Sequence, residues 1–111
     1  MAIRKEKKTF DFNDVMLVPK KGILKSRSSA NTSVKLGSRE FVIPAVPANM
    51  STIIDETLAE WLAERDYFYV MHRFDVDPVA FTKRFQDKGL FASVSLGVKP
   101  ADFSFVDEFV K

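Results

Sequence analysis

Residues 42–74 read VIPAVPANMSTIIDETLAEWLAERDYFYVMHRF, and the order of signals in this stretch decides the fold. An apolar run at 42–46 stops at Pro47, a short polar turn follows, a segment of helical period comes next, and a second apolar run at 67–71 closes the unit. Neither run alternates apolar with polar residues, as expected of parallel strands covered on both faces, and parallel strands need a long crossover, which the helical segment supplies. The stretch therefore reads as one β-α-β unit. Each run ends in residues able to do chemistry: Ala48-Asn49-Met50-Ser51 after the first and His72-Arg73-Phe74 after the second. In open or barrelled α/β sheets ligands sit at the carboxyl ends of the strands, so a site is expected there.

Within the crossover, Thr52 with Asp55 resembles a capping box, and Ile54, Leu58, Trp61, Leu62 and Arg65 fall on one helical stripe expected to face inward. Asp66 stands where a helix commonly ends in a glycine of positive φ, a conformation Asp tolerates less well. Further on, Asp77-Pro78 supplies an N-cap and a first-turn proline, Phe81 and Phe85 share a face, and Gly89 can close the helix. A third apolar run at 90–96 ends at Gly97, and Pro100 opens a third helical pattern carrying Phe103, Val106, Phe109 and Val110. On the N-terminal side, 32–36 and 40–43 flank Gly37-Ser38-Arg39, a spacing that suits a hairpin with a three-residue loop feeding the first buried strand. Residues 9–19, TFDFNDVMLVP, fit no single period and read as an extended segment laid across a larger body, stopped by Pro19 and loosened by Gly22. The polar stretch 25–31 is a loop in which Ser26 and Arg27 could bind phosphate, although ordinary surface loops have the same composition.

The order is thus a hairpin followed by β-α-β-α-β-α, with right-handed crossovers. A flavodoxin-like open sheet usually needs about five strands and a (β/α)8 barrel eight in about 250 residues, so three units complete neither. The 111 residues read as an N-terminal portion of such a domain, and their 46% hydrophobic content supports one domain at most. No run approaches the roughly 18 apolar residues of a membrane span. The start, MAIRKEKKTF, lacks the apolar stretch of a secretory signal, so a cytoplasmic location without a membrane partner is expected.

The absence of cysteine excludes disulfides, thiolate metal sites and cysteine nucleophiles within these residues. His72, the single histidine, has no carboxylate or cysteine companions; it reads as structural, and no metal is assigned. The net charge of +2 is uneven, with ten Lys/Arg against three Asp/Glu in residues 1–39 and seven against twelve in the remainder. No aromatic-interleaved basic motif or recognition helix accompanies the basic third, so it reads as a solvated face and not a nucleic-acid surface, while a nucleotide cofactor is compatible with it. No G-x-G-x-x-G or Walker sequence follows a strand, so nucleotide binding is not legible from spacing. Met50 suits a core gap as well as a ligand contact, but its place in a polar turn beyond a strand favours contact with a flat ligand.

Four ordered motifs carry a resemblance: FDFNDVMLVPK at 10–20, LKSRSSANTSVKLG at 24–37, VPANMSTIIDE at 46–56 and YFYVMHRFD at 67–75. Together they resemble the start of the IMP dehydrogenase/GMP reductase family, and P-A-N-M combined with Y-F-Y-V-M-H-R-F points to its GMP reductase branch. The resemblance covers essentially the whole chain. It implies an α/β fold, the N-terminal part of a (β/α)8 TIM barrel with about three β-α units and a preceding hairpin, within one incomplete catalytic domain. It implies NADPH as cofactor, GMP and IMP as small-molecule ligands, reductive deamination of GMP to IMP and ammonia, and a homo-tetramer when full length. In the family a cysteine attacks the purine C2 and hydride from the nicotinamide resolves the covalent intermediate. That cysteine, the acid/base groups and the main phosphate site are expected beyond Lys111, so no catalytic residue is assigned here.

Residue by residue, Asn49 and Met50 match the turn after the first barrel strand, where the methionine packs near the substrate purine. Ser26 and Arg27 match a Ser-Arg pair that touches the dinucleotide across a subunit boundary. Arg73 stands where other branches have lysine and is a cofactor-side candidate, its planar fork replacing a point donor. The alternative within the family is an IMP dehydrogenase, oxidising IMP to XMP with NAD. Many of its members insert a regulatory domain between the second helix and third strand, whereas Gln86-Asp87-Lys88-Gly89-Leu90 runs straight through, which favours the reductase branch. A third reading, an inactive barrel piece, is the expectation for these 111 residues on their own.

Overall fold

The computed structural model describes residues 9–109, in two compact units that divide between Ala30 and Asn31. In the second unit, β1 (Val34–Leu36) and β2 (Arg39–Phe41) form an antiparallel hairpin in which Leu36 pairs with Arg39. That register leaves Gly37-Ser38 as a two-residue loop, in place of the expected three. Gly37 takes φ +61° and Ser38 does not turn positive, the pattern of the type II′ turn whose twist matches paired strands. Arg39 is thereby drawn into the ladder.

Helix α1 (Glu56–Ala63) starts from Asp55, whose carboxylate accepts the Leu58 N–H at 2.7 Å. The expected cap at Thr52 does not form, because residues 51–53 make their own turn, with the Ile53 and Ile54 N–H groups both donating to the Met50 carbonyl at 2.9 and 3.0 Å. The inward face also differs from the expected stripe. Ile54, Ala59, Leu62 and Ala63 are buried, whereas Trp61 is 46% exposed, stacked on Tyr67 at 5.9 Å with the Arg65 guanidinium 4.4 Å over its ring. Two alanines let the helix approach closely, which a tryptophan on that face would prevent. At the helix end the Tyr67 N–H reaches the Leu62 carbonyl at 3.0 Å and the Asp66 N–H the Ala63 carbonyl at 3.3 Å, with Asp66 at φ +56°. This is a Schellman closure built on Asp in place of Gly.

Helix α2 (Pro78–Asp87) follows its punctuation closely: Asp77 accepts the Val79 and Ala80 N–H groups at 2.9 and 3.1 Å, and Phe81 and Phe85 stack at 4.2 Å as buried neighbours. It ends in the same closure, with the Leu90 N–H on the Phe85 carbonyl at 2.8 Å and Gly89 at φ +69°. Beyond it, Met71 and Val94 form a parallel bridge: the Met71 N–H donates to the Ser93 carbonyl at 2.8 Å, and the Ser95 N–H to the Met71 carbonyl at 2.9 Å. The second and third apolar runs are therefore parallel neighbours across a helical crossover. The core lies between them and the helices, with Tyr69, Met71, Phe81 and Phe85 almost fully buried. Each such side chain contributes about 1.5–3 kcal/mol. The Arg84–Glu56 pair at 2.6 Å and the Lys88–Glu60 pair also join α1 to α2, at a solvated surface where each contributes at most about 1 kcal/mol.

Two expectations require correction in this unit. Residues 42–46 are not a strand covered on both faces: Val42 and Val46 are exposed, and the run is tied to the residue just before the second one through the Val42 N–H on the Asp66 carbonyl at 3.0 Å. Pro44 and Pro47 lack N–H donors, so the run is poor in ladder bonds. Helix α3 (Pro100–Phe109) packs on α2, but its expected inward residues Phe103 and Val106 are exposed, and Asp102 and Phe105 turn inward. The Phe109 side chain and Val110 lie outside the described residues.

In the first unit, single 3-10 turns occur at Phe12–Asp14 and Arg27–Ser29. The first interrupts the segment expected to be extended, because the Asp11 N–H donates to Asp14 Oδ2 at 2.9 Å and the Asp14 N–H to the Asp11 carbonyl at 3.0 Å. Local Asp side-chain bonds compete with extended backbone in this way. Within this unit Phe12, Met16 and Leu17 are exposed. Among the described residues, no helix is long and apolar enough to cross a membrane.

Candidate functional site

The carboxyl ends of the second and third apolar runs frame a cavity of about 320 Å³ whose lining includes Arg73, Asp77, Ser95, Gly97, Asp102 and Phe105. Each reaches it for a local reason. Arg73 follows the Met71 bridge, and the Ser95 hydroxyl donates to the Met71 carbonyl at 2.9 Å, tying the two strand ends together. Asp77 is committed to capping α2. Asp102 sits in the first turn of α3, where its Oδ2 accepts the Lys99 N–H at 3.2 Å. Gly97 lies between them. A Cβ added there would fall 2.1 Å from Asp102 Oδ2 and 3.0 Å from Arg73 Nη1, so the absence of a side chain is what admits both groups.

The Arg73 guanidinium lies 5.5 Å from the Phe74 ring centroid and, among the described residues, has no ion pair within 4.0 Å. Its planar donors are left for a ligand. His72, next to it, is buried, and its Nδ1 accepts the Phe74 N–H at 3.2 Å within a turn where Asp75 takes φ +54°. The neutral ring therefore carries its proton on Nε2. In the core, burial pushes the Tyr69 phenol up to about 12, and its hydroxyl donates to the Phe91 carbonyl at 2.7 Å. It is a fastening in the core.

Asn49 and Met50 lie in an exposed turn after the first run. Their backbone is pinned by the Met50 N–H on the Ala48 carbonyl at 2.9 Å and by the two N–H groups that the Met50 carbonyl accepts, while the Met50 side chain is 55% exposed. Neither residue lines the Arg73 cavity. Ser26 and Arg27 belong to the other unit. Ser26 Oγ accepts the Ser28 N–H at 3.3 Å and lies 3.0 Å from Ser28 Oγ, and Arg27 is exposed. Sequence reasoning did not single out Gly97 or Asp102 as site residues. The signal was a glycine ending an apolar run, five residues before an acidic residue in a Pro-initiated helix. The cavity offers donors beside a carboxylate acceptor, and its Ser95 hydroxyl is engaged by the Met71 carbonyl, so it can bind and orient a ligand. Among the described residues no group of three or more His, Cys, Asp or Glu is placed to hold a metal.

No family model matches the chain. Among curated proteins, it is 56% identical over 103 residues to GMP reductase of Lactobacillus acidophilus, covering 92% of this chain and 31% of that protein. To GMP reductase of Ligilactobacillus salivarius it is 60% identical over 100 residues, 89% of this chain and 31% of the relative. The corresponding values for GMP reductase of Delftia acidovorans are 55% over 101 residues, 91% and 31%. The resemblance carried by the four motifs is borne out by these relatives. The chain spans 31% of the length of each of these three curated proteins.

Proposed function

We propose that the chain, similar to GMP reductases over about nine-tenths of its length, is part of an enzyme that converts GMP to IMP and ammonia at the expense of NADPH. The similarity at 55–60% identity is the observation that carries this reading. In it the three helices and the parallel pair belong to one (β/α)8 catalytic domain of a cytoplasmic homo-tetramer, and the nucleophilic cysteine lies outside these 111 residues. When bound, NADPH supplies hydride.

The residues present suit that cofactor. Arg73 has a guanidinium without an ionic partner among the described residues, aimed into a cavity at the strand ends. A charge-assisted bond from such a group is strong and directional. Ser26 and Arg27 offer a hydroxyl and a second guanidinium for the dinucleotide. Asn49 and Met50 stand on the substrate side, where the pinned backbone of the turn presents the thioether to a purine at little further ordering cost. The tight closure of α2 at Gly89 runs directly into the third strand, which supports the reductase over an IMP dehydrogenase with an inserted regulatory domain.

The test uses protein made from the complete reading frame that contains this chain. With GMP and NADPH, NADPH absorbance is expected to fall as ammonia appears in equal amount, and with IMP and NAD no XMP is expected. XMP formation, or no consumption of NADPH with GMP, overturns the proposal. The 111 residues alone are expected to show no turnover and to associate through the exposed residues at 42–46.

A further inference from the structure

We propose that Asp102 is a positioning residue for Arg73, holding its guanidinium over Gly97 so that its donors face the cavity. The inference rests on the reading of Arg73 as a cofactor contact. An arginine on a loop after a strand has many rotamers, and a ligand must otherwise collect the productive one from among them. Here three features restrict it: the ring of Phe74 at 5.5 Å, the bare Cα of Gly97, and the Asp102 carboxylate. The carboxylate is itself fixed, since its Oδ2 accepts the Lys99 N–H at 3.2 Å in the first turn of α3.

The distances explain why Asp102 guides without competing. Its Oδ2 and Arg73 Nη1 flank one point, the place of a Gly97 Cβ, at 2.1 and 3.0 Å, yet the two side chains form no ion pair within 4.0 Å. A bidentate pair would occupy the same planar donors that an anionic ligand needs. Beyond 4.0 Å from the exposed guanidinium, the carboxylate biases its orientation through its field and leaves the donors unspent. Asp77, the other carboxylate at the cavity, caps α2, whereas Asp102 is the one that meets the Arg73 Nη1 at the place of a Gly97 Cβ, which makes it the orienting charge. Gly97 is then required for space, because any side chain would part the two groups.

The protein from the complete reading frame carries the experiment. Asp102→Asn is expected to raise the KM for NADPH about fivefold or more while leaving the KM for GMP and the melting temperature unchanged, a size in keeping with coupled neighbouring groups. Asp102→Glu should recover part of the loss, and Gly97→Ala should raise the KM for NADPH as well. An independent readout is the 15N relaxation of the Arg73 Nε–Hε group, expected to show restricted motion in the wild type and free motion in Asp102→Asn. If the relaxation is the same in both, or if the KM for NADPH is unchanged in folded Asp102→Asn, the proposal is overturned. Should Asp102→Asn fail to fold, Gly97→Ala decides by the same two measurements. A wild type without GMP reductase activity defeats the proposed function, and the relaxation data alone then decide whether Asp102 holds Arg73.

Discussion

Raising the pH should uncouple Tyr69 from the core in a measurable way. The side chain is fully buried and its hydroxyl donates to the Phe91 carbonyl at 2.7 Å, so folding favours the neutral phenol and burial pushes its pKa from 10.0 to about 12. For a group whose folded pKa is raised, the contribution is fully present below pH 10 and is lost as pH climbs toward 12. At about 1.4 kcal/mol per pH unit, the loss amounts to about 2–3 kcal/mol. Tyr69→Phe removes the donor and leaves the Phe91 carbonyl unpaired, which costs about 1–3 kcal/mol below pH 10, but it also removes the titration. The two stability profiles, from urea unfolding followed by circular dichroism between about pH 8 and pH 12, should therefore converge with rising pH and meet or cross near its upper end. Contributions common to both proteins cancel in the difference. Profiles that run parallel over the whole range would refute the reasoning, because the alkaline loss would then arise elsewhere.

Met50→Gly in the complete enzyme should weaken GMP binding by about 1–2 kcal/mol through lost packing and leave NADPH affinity unaltered, as measured by calorimetry; an unchanged Kd for GMP returns Met50 to a merely structural turn. Arg27→Ala should raise the KM for NADPH about tenfold and spare that for GMP, the size of a charged hydrogen bond to phosphate. Unchanged KM values would make Ser26-Arg27 a surface loop only. Gly89→Ala should lower stability by about 1 kcal/mol or more, since φ +69° is strained for any L residue. Asp66→Gly should be close to neutral in thermal unfolding: relief of the strain at φ +56° is offset by the lost surface pair with Arg39 at 3.0 Å and by a more flexible unfolded chain. Equal effects of the two glycine exchanges would contradict the shared closure geometry.

The sequence by itself determined the features that depend on neighbours a few residues apart. Asp77-Pro78 begins α2 and Gly89 ends it, Asp66 closes α1 in the left-handed region, and Phe81 and Phe85 share a buried face, because caps, closures and helical faces are local geometry. The four motifs likewise carried the resemblance to GMP reductases. Tertiary structure decided what depends on which surfaces meet. It set the hairpin loop at two residues, and it turned Trp61 half outward while Ala59 and Ala63 went in. In α3 it chose Asp102 and Phe105 over Phe103 and Val106. It left 42–46 without a full ladder, since Pro44 within the run and Pro47 just after it lack the donors that pairing uses. The meeting of Arg73 and Asp102 over Gly97 joins three segments that are remote or unpatterned in sequence. No period relates them, and the space that admits them exists only once the second and third strands lie side by side.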